Sequence, residues 1–268
     1  MDWAKSKTIM IVMLLALNLF MAGFLINREL GDSADNAFYA NVTDILNGRG
    51  VTLNCKFPKK INDSGLLIYG DGARFAANCA KALDGRGDAE VEMTGRESLR
   101  YHNPNPDENL NVSSIPALDA AVRKLMRETG IDLANFKLDY SSENSREYAV
   151  GDGYFLQYVL EYDGNLVFDS NVNVTVTRGG GISSIHINYR EIKSALGEKH
   201  MKVVPAYQVI LKNYHNGGDV IASINLGFMG QNTARDNPYV ESEEGAVWRV
   251  RLIDGSERFF EATYGDEI

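Results

Sequence analysis

The first pattern along the chain is an uncharged run from Thr8 to Ile26, which predicts a membrane-spanning helix. At about 1.5 Å per residue, a helix of this length measures roughly 28 Å, close to the hydrocarbon thickness of a bilayer. A cleavable signal peptide has a shorter apolar region, so we expect the run to stay in the membrane. Lys5 and Lys7 precede the run and Arg28 follows it beside an acid, which predicts a cytoplasmic N-terminus and an extracytoplasmic bulk.

The same run carries a candidate contact stripe for a partner helix. Helices in lipid associate through close packing of small residues and through interhelical hydrogen bonds worth about 1 kcal/mol each. The stripe consists of Ala16, Asn18, Leu19, Ala22 and Gly23. Trp3 is placed to anchor the helix at the inner membrane interface. The alternative is that a simple anchor tolerates one Asn and a few small residues.

Helical and strand-like patterns alternate in the next part of the chain. Apolar residues at helical spacing from Ala34 to Leu46 end at Asn47-Gly48, a helix stop. A strand, a second strand, a short helix and a hairpin follow, in the order VTLNCKF, GLLIYG, RFAANCAKAL and VEMTGRESLRY. The segment IPALDAAVRKLMRETGI then predicts an amphipathic helix that stops at Gly130.

After this helix the apolar and polar residues alternate. The stretch from YFLQYVLEY to SSIHINYREI predicts an antiparallel meander of three or four strands that turns at Asp163-Gly164 and at residues 179–181. A helix near Pro205 and further strands follow, so the order indicates an α+β fold in which helices cover antiparallel sheets. We divide the chain into a cytoplasmic N-terminus (1–7), a transmembrane helix (8–26) and two extracellular α+β modules (27–110 and 111–268).

The net charge and the cysteine content of the chain bear on its partners and on its covalent structure. The chain has 268 residues and a formal net charge of −9, and an acidic surface argues against nucleic acid as a partner. Its two cysteines, Cys55 and Cys79, would meet an oxidising or neutral exterior in the predicted topology. They form either a disulfide or two small buried side chains, because nothing in the sequence fixes their separation.

Signatures of catalysis and of metal binding are weak. The four histidines are scattered without an HExxH motif, and no GxSxG or SxxK motif occurs. Carboxylate pairs such as Asp139 and Glu143 arise by chance in a chain with 36 acidic residues, so they do not indicate a glycosidase. We therefore expect no enzyme activity, no metal and no cofactor.

The two ends of the chain resemble the YycI family. The start combines Met-Asp-Trp, Lys5 and Lys7 with an immediate single span. The end contains VVPAYQVI, INLGFMG and VWRVRLIDGSERFFEATYG, which look like the C-terminal module shared by YycI and its partner YycH. This module is also reminiscent of PepSY-type domains, and the resemblance covers nearly the whole chain.

The resemblance implies a non-catalytic regulator. Members of this family are membrane-anchored proteins that, with YycH, bind the sensor histidine kinase WalK (YycG) of the WalK/WalR two-component system in Gram-positive bacteria and adjust its activity. Two alternatives remain open. The chain could be an extracytoplasmic binding module or inhibitor that acts on an envelope ligand or a wall peptidase, or it could be a wall hydrolase.

Overall fold

The computed structural model describes most of the chain after residue 37 and isolated positions before it. The described residues are 3, 10–11, 13–14, 17–18, 21, 38–58, 63–85, 88–143, 153–215, 217–230 and 242–268. Over residues 38–268 the described fold is α+β, with a mixed sheet of many strands and four helices.

The four helices follow the apolar periodicity of the sequence. They are α1 (38–48), α2 (Ala73–Leu83), α3 (Ile115–Glu128) and α4 (Ala206–Asn213). Helix α3 begins after Ser114, whose hydroxyl accepts a hydrogen bond at 3.3 Å from the backbone N–H of the third helical residue. Its buried residues are Leu118, Val122 and Met126, which are four apart and therefore share one face.

The described part of the chain contains thirteen strands. They are β1 (Thr52–Leu53), β2 (Asp63–Tyr69), β3 (Glu90–Met93), β4 (Ser98–His102), β5 (Phe136–Glu143), β6 (Gly153–Tyr162), β7 (Asn165–Thr177), β8 (Ile182–Asn188), β9 (Ile192–Lys202), β10 (Val220–Phe228), β11 (Ser242–Glu244), β12 (Ala246–Leu252) and β13 (Glu257–Glu261).

Ten of these strands form one mixed sheet. Its path is β13-β12-β10-β7-β8-β4-β3, with β1 beside β10 and with β6 and then β5 beside β7. The remaining strands form a three-stranded sheet in the order β11-β2-β9. The prediction of purely antiparallel sheets is wrong, because β10 runs parallel to β1 at its start and parallel to β7 at its end. These pairings join distant segments and leave no periodic signal in the sequence.

The main hydrophobic core lies between the helices and one face of the ten-stranded sheet. Each helix contributes buried residues to it, for example Leu46 from α1, Leu83 from α2 and Ile210 from α4. The sheet contributes every second residue of its strands, such as Leu99 and Tyr101 of β4. Strand β4 precedes residue 110 and pairs with β8, which follows it; the module boundary at residue 110 stays a prediction.

At the β12 end of the sheet, the other face is also partly buried. Trp248 and Val250 of β12 belong to the main core. Arg249, which alternates with them, points to the opposite face and reaches Asp139 of β5. A small second apolar cluster on that face contains Val159, Phe168 and Val247.

Among the described residues, no helix is long and apolar enough to cross a membrane. A span needs about 20 consecutive apolar residues, whereas α3 has 14 residues and buries only one face. The prediction of a transmembrane helix over residues 8–26 is therefore wrong, and so is the single-pass location with an extracytoplasmic bulk that depended on it. Most of the 8–26 stretch lies outside the described residues.

Candidate functional site

One face of the sheet between β4 and β6 carries polar side chains that keep part of their surface accessible. Successive residues of a strand point to opposite faces. In β7, Val172, Val174 and Val176 are buried against the core, whereas the residues between them are half-buried. We call the set that points away from the helices the polar face; it consists of Arg100, His102, Gln157, Asn173, Thr175, Ser184 and His186.

Strand register places four of these side chains in one row across the sheet. Arg100 lies opposite His186, and His186 lies opposite Asn173. Asn173 in turn lies opposite Gln157. Directly opposed side chains have Cβ atoms about 4.5–5.5 Å apart, so each can contact the next. The row is therefore a continuous hydrogen-bonding surface across four strands.

His186 is suited to recognition through its neutral form. Burial lowers its pKa, and the neighbouring charge of Arg100 lowers it further. A neutral imidazole offers one donor and one acceptor. A nucleophile would have to lie within hydrogen-bond reach of it, but Ser184 is two residues away on the same strand, roughly 7 Å. This spacing places Ser184 beyond direct hydrogen-bond reach of the imidazole.

Asn173 carries an uncommitted acceptor. Its Oδ1 atom is buried and receives no hydrogen bond from any described residue. The amide orientation is set by Asn171, which donates to Phe168 O at 3.1 Å and therefore accepts from Asn173 Nδ2, at 3.4 Å. A buried acceptor without a donor costs about 1–3 kcal/mol. If the Asn173 amide turns toward a ligand, it loses only the long hydrogen bond to Asn171, and its buried Oδ1 atom gains a donor.

Gln157, at the end of the row, is held in place by a buried arginine. Arg251 Nη2 donates a hydrogen bond to Gln157 Oε1 at 2.8 Å. Because Arg251 holds the oxygen toward itself, the NH₂ group is the donor that Gln157 offers to a ligand.

Arg251 belongs to a buried ion cluster, which we define as Asp139, Arg249, Arg251 and Glu257. Asp139 accepts two hydrogen bonds from Arg249, at 2.7 and 2.8 Å, and a further one from Arg251. Glu257 accepts from Arg251 Nε at 2.9 Å. The Arg249 guanidinium also lies 4.4 Å from the ring centre of Phe168, a cation–π contact. The cluster joins β5 to β12 and β13.

A β-bulge directs Asp139 into this cluster. The pairing of β5 with β6 shifts register between Leu138 and Tyr140, and a bulge re-aims the side chain at the extra residue. Burial alone would raise the pKa of Asp139, but the hydrogen bonds and charges of Arg249 and Arg251 outweigh it and hold the pKa below its usual range. The carboxylate is therefore ionised, and its role is to fasten two parts of the sheet together.

A second buried carboxylate, Asp169, lies outside the polar face. It accepts a hydrogen bond from Gly230 N at 3.0 Å and pairs with Arg190 Nη1 at 3.4 Å. Burial raises its pKa, although Arg190 and Gly230 oppose the change. Arg190 lies 4.5 Å from the ring centre of Tyr69 in β2, so the pair connects the ten-stranded sheet to the three-stranded one. We assign it a structural role.

Two of the residues predicted for the membrane helix and its flanks belong to the described part of the chain. Trp3 and Asn18 are described, and both are helical and exposed. The predicted stripe residues Ala16, Leu19, Ala22 and Gly23, and the charged residues Lys5, Lys7 and Arg28, lie outside the described residues. Their predicted roles depended on a membrane-spanning helix, which the described part of the chain does not contain.

The two cysteines are free thiols in the structure. Cys55 is half-buried and Cys79 is buried on α2. Burial raises the pKa of both thiols, to about 12 for Cys79. This arrangement corresponds to the alternative of two small, partly buried residues.

The polar face was missed at the level of sequence. The alternation NVNVTVT in β7 marks a strand with one buried side. It does not reveal that Arg100, from a distant segment, joins the same row through β8. Within the described residues, no group of three His, Cys, Asp or Glu side chains is placed to hold a metal ion.

No protein-family model matches the sequence, and no curated protein is significantly similar to it. The resemblance to the YycI family therefore stays a prediction from the sequence.

Proposed function

We propose that this protein is a non-catalytic regulator that binds a sensor histidine kinase of the WalK (YycG) type together with a YycH-like protein. The polar face is its contact surface. The choice of these two partners rests on the resemblance of the sequence to the YycI family. The structural observation that supports a binding role is the uninterrupted row from Arg100 to Gln157, which leaves each side chain partly accessible.

The chemistry of the row suits a polar protein segment. Arg100 is a cationic donor, His186 is neutral, and Asn173 brings an acceptor without an internal donor. These groups match the N–H and C=O groups of a partner backbone. The bond from Arg251 holds Gln157 before a partner arrives, so less side-chain entropy is lost on binding.

Regulation follows only if the polar face binds two states of the kinase unequally. A hydrogen bond to Asn173 that forms in one state alone contributes about 1 kcal/mol, which changes the ratio of the two states about fivefold. A few such contacts are enough for a regulatory effect.

The test is co-purification of the full-length protein with a co-expressed WalK-type kinase and a YycH-like protein. We compare Arg100→Glu on the polar face with Lys124→Glu, which makes the same charge change at an exposed position of α3. Arg100→Glu should lower kinase recovery at least fivefold, whereas Lys124→Glu should leave it unchanged.

Thermal unfolding of both variants checks that they keep the native fold. Equal loss of recovery in the two variants would mean that charge alone drives the association and would contradict a contact through the polar face. Failure of the wild-type protein to recover the kinase would overturn the choice of partner.

A further inference from the structure

The two strands at the ends of the main path of the ten-stranded sheet, β13 and β3, differ in what lies along their outer edges. At one end, the outer edge of β13 is covered by the last residues of the chain: Glu261 N donates to Asp266 O and Ile268 N donates to Phe259 O, at 2.8 and 3.0 Å. At the other end, β3 pairs with β4 alone, and no described strand lies along its outer edge. An uncovered edge strand is a template for pairing with another chain.

The hydrogen-bond phase of the β3–β4 hairpin shows which backbone groups face outward. Thr94 N donates to Ser98 O at 3.1 Å, so this residue pair is hydrogen-bonded across the hairpin. In an antiparallel pair, hydrogen-bonded and non-hydrogen-bonded positions alternate. The N–H and C=O groups of Val91 and Met93 are therefore directed to the open edge, where they offer two donors and two acceptors.

The side chains of β3 give this edge a distinct chemistry on each face. Glu90 and Glu92 are exposed on one face, which continues the polar face, and among the described residues neither forms an ion pair. In β4, His102 lies directly opposite Glu90 and Arg100 lies directly opposite Glu92. Val91 is half-buried on the other face, and Met93 beside it is 42% exposed.

A second copy of the chain does not complement this edge. Antiparallel pairing of two β3 strands centred on Val91, with matching faces, would set Glu90 of one copy directly opposite Glu92 of the other, twice. Like charges directly opposite each other destabilise a strand pair. A strand with Lys or Arg on one face and apolar residues on the other would instead place opposite charges beside the two glutamates and apolar groups beside Met93.

We propose that β3 is a strand-addition site for an extended segment of another protein that alternates basic and apolar residues. The incoming strand forms backbone hydrogen bonds with Val91 and Met93, while its basic side chains contact Glu90 and Glu92. Affinity in this mode comes from main-chain pairing, and specificity comes from alternate side chains. This proposal does not rest on a kinase as the partner, because it is argued only from the open edge of β3 and from the charges of Glu90 and Glu92.

The experiment measures binding of a blocked eight-residue peptide that alternates Lys and Val to the full-length protein. A peptide of the same composition with the four Lys and four Val residues in two blocks is the matched control. The alternating peptide should bind at least tenfold more tightly than the block peptide. Glu90→Gln combined with Glu92→Gln should weaken the alternating peptide several-fold and reduce its dependence on salt.

Backbone pairing is tested with Met93→Pro. Proline is tolerated on edge strands where the lost N–H faces outward, so this variant should keep its thermal midpoint and lose at least tenfold in affinity for the alternating peptide. A peptide N-methylated at every second residue gives the same test on the wild-type protein and decides the matter if the variant does not fold. Equal binding of the alternating and block peptides, or of the methylated and unmethylated peptides, would overturn the proposal. Absence of any binding by the wild-type protein would also overturn it.

Discussion

Asp139→Asn should be among the most destabilising single substitutions in the described fold. The change keeps the size and shape of the side chain and removes one negative charge from the buried ion cluster. Arg249 is 1% exposed and Arg251 is 5% exposed, so neither guanidinium can recover its hydration by a small movement. Removing one partner of a buried ion pair costs about 3–5 kcal/mol.

The carboxylate of Glu257 remains in the variant and determines how large the loss of stability is within the range of about 3–5 kcal/mol. Glu257 still accepts from Arg251 at 2.9 Å, but it lies 3.4 Å from Arg249 and is itself partly exposed. Arg251 therefore keeps a close counter-charge, whereas Arg249 loses its charged partner, because an amide offers one acceptor oxygen where the carboxylate offered two. We expect a loss of about 3 kcal/mol, the lower end of the range.

Urea unfolding followed by circular dichroism measures this loss. Glu128→Gln is the control, because Glu128 and Lys124 form an exposed pair at 3.8 Å and such pairs contribute about 0.5 kcal/mol or less. A loss below about 1 kcal/mol for Asp139→Asn would refute the assignment of Asp139 as the essential counter-charge.

The pH dependence supplies an independent check of sign. The folded pKa of Asp139 is lowered, so its stabilising contribution is present above the unfolded pKa, about 3.9, and is lost as the pH falls through the folded value. The difference in stability between the wild-type protein and Asp139→Asn should be constant near neutral pH and should shrink below about pH 4. A difference that grew on acidification would contradict the ionised state of this carboxyl.

Three further outcomes follow from individual contacts. Ser114→Ala should cost about 1 kcal/mol in urea unfolding, because the hydroxyl caps the first turn of α3; no loss would mean that the cap contributes nothing. Thiol titration without reductant should find both cysteines in denaturant and slow labelling of Cys79 in the native state, because burial raises its pKa to about 12; two missing thiols in denaturant would reveal a disulfide to Cys55. Trp248→Phe should cost about 2 kcal/mol, since it removes the 2.8 Å hydrogen bond to Val204 O and leaves a small cavity; a neutral result would show that the core repacks.

Local elements of the fold were accessible from the sequence, because their signals lie within a short window. The helix over Ile115–Glu128 and the turn at Asp163-Gly164 correspond to periodicity and to turn residues that can be read directly. The mixed sheet was not accessible, because the parallel pairing of Thr52 with Val220 depends on long-range geometry. The apolar run near the N-terminus predicted a membrane span from its length and hydropathy. These two properties contain no information about the helices of the described fold, none of which is long and apolar enough to cross a membrane.

The candidate site was hidden for the same physical reason. Its four row residues come from four strands, and only the register brings Arg100 to His186 and then to Asn173. Asp139 had a visible carboxyl, but its pairing with Arg249 depends on a bulge that re-aims the side chain. A sequence pattern reports which face of a strand is buried; it does not report which strand lies next to it.

The buried ion cluster and the polar face are mechanically connected. Replacing a buried ion pair with apolar residues is often neutral or stabilising, so the cluster is weak evidence for stability as such. The cluster has a consequence for position instead, because Arg251 of β12 binds both Asp139 of β5 and Gln157 of β6 and thereby fixes the end of the polar row. An apolar replacement of the cluster could keep the fold and still release Gln157. Loss of partner binding in a variant of unchanged stability would then separate positioning from folding.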